Sequence, residues 1–154
     1  MPRQSFAPAE LLLQGCAEVG EGPFWDDRSN TLHWVDIPRG RLHVSDLDRG
    51  VTTSVAIGLM LGAAVPREAG TGWAVAYEDG FGFIDGDRLH PACPVLSSPL
   101  RRMNDAKCDS RGRLWAGSTA MDFEPGAGAL WSWDGLNEPT VVTPGLALPN
   151  GIGW

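Results

Sequence analysis

The stretch Arg102-Met103-Asn104-Asp105-Ala106-Lys107-Cys108-Asp109-Ser110-Arg111-Gly112-Arg113-Leu114-Trp115-Ala116-Gly117 sets a polar cluster and an apolar run on either side of an Asp-Ser-Arg-Gly turn. Two short strands around such a turn predict a β-hairpin. The amide of Asn104 and the carboxylates of Asp105 and Asp109 precede the turn, where burial is costly without partners or a ligand.

Outward from this hairpin the layout recurs. Upstream, Gly20-Glu21-Gly22-Pro23-Phe24-Trp25 runs into an Asp-Asp-Arg-Ser-Asn turn, and residues 31–36 then alternate in polarity. Residues 40–45 and 51–55 predict two more strands. The pattern returns at 61–66, a turn at 67–71, then 72–76 and 80–84. After the hairpin come 114–117 and 129–133, and Asn150-Gly151-Ile152-Gly153-Trp154 begins the pattern again. Aligned second strands start at Leu32, Trp73 and Leu114, two equal steps of 41 residues. A four-stranded unit near this period predicts an all-β fold of the β-propeller type, against the alternative of an evenly spaced meander. The expected boundaries are a ring-closing strand at 10–18, blades at 21–58, 61–96 and 104–143, and the first strand of a fourth blade at 150–154.

Composition agrees with this reading. Of 154 residues 43% are hydrophobic, enough for a core, while 20 Gly and 12 Pro favour many short strands. A net charge of −7 argues against a nucleic-acid surface, which needs a basic stripe. No apolar run is long enough to span a membrane, and the first residues lack the apolar core of a signal peptide. Cys16, Cys93 and Cys108 are odd in number and show no CxxC spacing, so reduced thiols and a cytoplasmic location are expected. Lys107, the only lysine, is assigned no function.

Counted back from each turn, Glu21, Leu61, Asn104 and Asn150 hold equivalent places in the first strand of successive units. The first strand of a blade lines the central channel, so these positions form a ring at one mouth. Three of the four carry side-chain oxygens, which from separate blades can cage a hard divalent cation.

Gly20 to Trp25, Val35-Asp36-Ile37, Arg102 to Asp105 with Asp109 and Gly112-Arg113, and Pro149-Asn150-Gly151-Ile152 stand in order at blade spacing. Together they resemble the senescence marker protein (regucalcin)/gluconolactonase/luciferin-regenerating enzyme family, from about Glu10 to Trp154. The resemblance implies a six-bladed propeller with one divalent cation (Ca²⁺, Zn²⁺, Mg²⁺ or Mn²⁺) in its channel, hydrolysing a sugar lactone to the aldonic acid. It implies Glu21 and Asn150 as metal ligands, with Arg102, Asn104 and Asp122 contacting substrate; Glu124 is the rival of Asp122. The family's third ligand, an aspartate in a Pro-Asp-Gly context that also activates water, would fall after Trp154, so the catalytic residue is unassigned. The chain is accordingly expected to be the N-terminal half of such an enzyme, weak or inactive by itself, with open blade edges through which copies could associate. The competing function is a non-catalytic propeller that binds a cation such as Ca²⁺, or a protein partner.

Each site residue also has a plainer reading. Glu21 can cap its Gly-Glu-Gly turn, Asn150-Gly151 is a common turn pair, and Asn104 can bond to neighbouring backbone. Arg102 offers a planar fork of donors but can equally form a surface ion pair. Asp105 and Asp109 read as turn and hairpin supports, and the seven tryptophans as packing between blades. His33, His43 and His90 share no spacing and receive no metal or catalytic role. No G-x-S-x-G or H-E-x-x-H motif is present.

Overall fold

The computed structural model describes residues 7–15 and 17–154. Among the described residues twelve strands form three antiparallel sheets of four, each sheet a run of consecutive strands. The first holds β1 (Gly20–Asp26), β2 (Thr31–Asp36), β3 (Arg41–Asp46) and β4 (Val51–Ala56). The second holds β5 (Leu61–Pro66), β6 (Trp73–Tyr77), β7 (Gly80–Asp85) and β8 (Arg88–Pro94). The third holds β9 (Arg101–Cys108), β10 (Leu114–Ala120), β11 (Gly128–Trp133) and β12 (Thr140–Leu146). The sheets are three blades of an all-β propeller.

The last strand of each sheet is its most exposed. β5 is buried along nearly its whole length, whereas β4, β8 and β12 are mostly exposed. β5 lies between β1 and β9, and its Leu-Gly-Ala-Ala sequence is what such a sandwiched strand requires. A Cβ on Gly62 would sit 2.3 Å from the Asn104 carbonyl oxygen, so only glycine lets the two backbones approach.

Each seam between blades has its own core. Val35, Ile37, Leu42, Leu61, Val75, Tyr77 and Ile84 fill the first, and Ala63, Phe81, Met103, Leu114, Ala116 and Trp133 the second. Phe81 and Ile84 are fully buried, each stabilising the fold by roughly 1.5–3 kcal/mol. Trp133 packs on Phe81 and Phe83 at ring separations of 5.3 and 5.2 Å, and Trp73 lies 6.0 Å from His33 across the other seam. These two tryptophans pack between blades as expected. Trp34 stacks instead on His43 at 4.0 Å within the first sheet.

The hairpin at 109–113 explains the stretch that opened the sequence. Asp109 Oδ1 accepts the N–H groups of Arg111 and Arg113 at 2.9 and 3.0 Å, and Gly112 closes the turn at φ 77°. Trp115 Nε1 donates to Asp109 Oδ2 at 3.0 Å, and the Arg113 guanidinium grips the same oxygen at 2.7 Å. These bonds, that of Trp115 first, hold the Asp109 carboxyl well below the usual carboxylate range.

Two segments differ from the sequence reading. Residues 10–15, 17 and 18, expected as a closing strand, pair with no strand. This segment lies beside β1 and β2 of the first sheet instead. Leu11, Leu12 and Leu13 line a groove with Leu32 and Trp34, while the Asp36 carboxylate accepts the N–H groups of Glu18 and Val19 at 3.1 and 3.2 Å. Residues 150–154 likewise form no strand, because no neighbouring strand pairs with them. They lie against the third blade, with Pro149 over Gly117 and the Trp154 ring edge-on to Trp115 at 5.5 Å.

Cys93 and Cys108 are free and half-buried. Cys16 and residues 1–6, on which the thiol and leader readings also rested, lie outside the described residues.

Candidate functional site

The innermost strand of every blade carries a β-bulge. The register shifts between Glu21 and Phe24 in β1, between Leu61 and Ala63 in β5, and opposite Gly117 in β9, where Asn104 and Asp105 together face one residue. A bulge bends its strand and re-aims the side chains beside it. The bulges fall at or beside the aligned positions Glu21, Leu61 and Asn104, of which Leu61 is buried in the core of the first seam.

In β9 the bulge lets adjacent side chains reach the same segment. Asn104 Nδ2 donates to the Pro149 carbonyl at 3.0 Å and approaches Asn150 Oδ1 at 3.4 Å. Asp105 Oδ2 accepts the N–H groups of Gly151 and Ile152 at 2.9 and 3.1 Å. Arg102 Nη1 donates to Asn104 Oδ1 at 2.7 Å and to the Met103 carbonyl at 3.0 Å. Burial draws the Arg102 pKa down, and the nearby Glu21 charge opposes that shift.

Glu21 and Asn150 meet at a cavity of about 210 Å³, which Asp105, Lys107, Phe24 and Ile152 also line. Among the described residues no three His, Cys, Asp or Glu side chains converge; the oxygen donors lining the cavity are the Glu21 and Asp105 carboxylates and the Asn150 amide. These residues fit a hard divalent cation. The half-buried Glu21 carboxylate and the Asn150 amide supply oxygen donors, with room in the cavity for water to complete the shell.

The structure therefore brings Glu21, Arg102, Asn104 and Asn150 into one neighbourhood. Asn104 is only 5% exposed and its amide is bonded at both ends, so it braces Arg102 and Asn150 as placed here. Asp122 and Glu124 are not in that cavity. They line a separate depression of about 290 Å³ with Ser98, Leu100 and Arg101, and Asp122 Oδ1 accepts the Glu124 N–H at 3.2 Å. The sequence reading missed Asp105, taken for a turn support, and Lys107, set aside as compositional. Asp105 left a usable signal, an acid directly after a ring position. Its partners lie 46 and 47 residues away, which spacing alone does not reveal.

Known proteins share this arrangement of sheets. The pentonolactonase of Haloferax volcanii is 34% identical over 140 residues, covering 88% of this chain and 46% of the relative. The 6-deoxy-6-sulfogluconolactonase of Pseudomonas putida is 31% identical over 141 residues, covering 88% of this chain and 47% of the relative. The crystal structure of regucalcin from Agrobacterium tumefaciens, described as a calcium-binding protein, matches with a TM-score of 0.78 at 27% identity, covering 85% of this chain and 45% of that one. The chain spans about half the length of the relatives it matches. The family described as SMP-30/Gluconolactonase/LRE-like region matches residues 19–154, and with its three bulged propeller blades the chain belongs to that family.

Proposed function

We propose that the chain serves the hydrolysis of a sugar lactone to its aldonic acid, with one divalent cation (Ca²⁺, Zn²⁺, Mg²⁺ or Mn²⁺) held between Glu21 and Asn150. The observation that carries this is that the Glu21 carboxylate and the Asn150 amide line one cavity, from opposite ends of the described chain. Two relatives named as lactonases support the substrate class. A cation bound there supplies Lewis-acid polarisation of a carbonyl and lowers the pKa of a bound water.

The chain's own residues orient the sugar. The Arg102 fork, braced by Asn104, presents donors to ring or hydroxyl oxygens beside the cavity. Asp122 or Glu124, at the Arg101 end of β9, accepts from sugar hydroxyls once a substrate bridges the two depressions. The attacking water must also lose a proton to a carboxylate. That carboxylate is not assigned, and the 154 residues by themselves should show weak activity or none.

The regucalcin relative, described as calcium-binding, favours a second reading in which the cation is bound without turnover. Both readings are tested on gluconolactone with a pH indicator and each of the four cations. The assay uses the 154-residue chain and a chimera completed by the C-terminal half of the Haloferax volcanii relative. Cation-dependent proton release by the chimera, lost in Glu21→Gln, supports the lactonase. No release with any cation ends that reading, and calorimetric Ca²⁺ binding without release selects the second.

A further inference from the structure

We infer that Asp105 is the positioning residue for Asn150: its carboxylate clamps the Gly151 and Ile152 backbone to the third blade and so presents the Asn150 oxygen to the cavity. The inference rests on the cation reading above. Residues 147–154 have no strand ladder to fix them, so their place depends on individual bonds. Thr119 Oγ1 holds the Ala147 carbonyl at 2.8 Å, and Asn104 holds the Pro149 carbonyl at 3.0 Å. Beyond these, only Asp105 grips the backbone after Asn150 among the described residues. It does so twice through one oxygen, at 2.9 and 3.1 Å.

Bonds from backbone N–H to a charged acceptor are stronger than neutral ones. Asn150 therefore stands between two fixed points, the carbonyl of Pro149 on one side and the N–H of Gly151 on the other. Gly151 takes φ 72°, a turn that swings the chain so that both N–H groups face Asp105. The β9 bulge makes the arrangement possible: without the extra residue, Asn104 and Asp105 would point to opposite faces of the strand. Groups that orient a metal ligand typically change cation affinity by about 10–100-fold when removed.

The test compares Asp105→Ala and Asp105→Asn with the unmodified 154-residue chain. The readouts are Mn²⁺ affinity by electron paramagnetic resonance, Gly151 and Ile152 amide exchange by NMR, and the near-ultraviolet circular dichroism of the Trp115–Trp154 pair. Asp105→Ala should weaken Mn²⁺ binding by about 10–100-fold, speed exchange at both amides and diminish the tryptophan signal, with far-ultraviolet dichroism unchanged. Asp105→Asn keeps an acceptor oxygen and should recover most of the affinity. Faster exchange with Mn²⁺ affinity unchanged would overturn the positioning role. If the unmodified chain binds no Mn²⁺, the cation reading falls by that result. The clamp is then judged on exchange alone, and protection unchanged in Asp105→Ala rejects it.

Discussion

The Trp73 indole N–H donates to His33 Nδ1 at 2.8 Å across the seam between the first and second blades. That bond makes Nδ1 an acceptor and leaves the ring proton on Nε2. Nε2 lies 2.9 Å from Thr31 Oγ1, Thr31 Oγ1 lies 2.7 Å from Ser29 Oγ, and Ser29 Oγ donates to Asp26 Oδ2 at 2.9 Å. One consistent chain of donors runs from Trp73 to the Asp26–Arg28 ion pair, and it requires neutral His33.

Stability should therefore depend on His33 protonation. Burial draws its pKa below the usual value of 6.5, with Asp26 opposing and Arg28 assisting. The unfolded chain then takes up a proton before the folded one does, so stability is full above about pH 6.5 and declines as pH falls through the depressed value. Urea midpoints between about pH 8 and about pH 5 should show this slope, and His33→Gln should flatten it. An equal slope in the variant would assign it to other groups.

Gly62→Ala should be destabilising by roughly 1–3 kcal/mol, since its Cβ meets the backbone oxygen of Asn104, which no rotamer change can move. β9 must shift outward, carrying Asn104 and Asp105 with it. Chemical denaturation measures the loss, and a parallel drop in Mn²⁺ affinity is expected.

Asp109→Ala should lower the melting temperature by opening the β9–β10 hairpin, because Trp115, Arg113 and two backbone N–H groups lose their common acceptor. The carboxyl pKa is depressed in the folded state, so its contribution is full above the unfolded value of about pH 3.9 and is lost progressively as pH falls from there through the depressed folded value. The gap between the melting temperatures of the variant and the unmodified chain should be constant from about pH 7 to about pH 5 and begin to narrow below about pH 4.

Glu21→Gln and Asn150→Ala should each remove Mn²⁺ binding from the cavity, the first by discharging the carboxylate, the second by deleting the facing oxygen. Arg102→Lys should leave cation affinity intact and raise the substrate KM by roughly 10-fold, because a single ammonium cannot reproduce the fork that Asn104 orients. Calorimetry and initial-rate kinetics on the chimera separate these effects.

The 41-residue step from Leu32 to Trp73 to Leu114 and the alternating run at 31–36 were enough to read blades, since strand period and turn residues are local properties. Leu11-Leu12-Leu13 looked like a strand for the same local reason. It became a covering segment because pairing requires a partner edge that a sequence does not display. Asp105 was misjudged in the same way: beside a turn it resembles a turn support, whereas its acceptors serve amides 46 and 47 residues later.

By itself, then, the sequence determined the repeat, the strand-rich class and the matching places of Glu21 and Asn104 in the first strands of the first and third blades. Only the tertiary structure decided which neighbours those side chains meet, because that depends on bulges that add one residue to each inner strand. The same added residue in β9 turns Asp105 toward Gly151. Hydrogen bonds act over about 3 Å, and chain spacing cannot report a separation that small between residues on different blades.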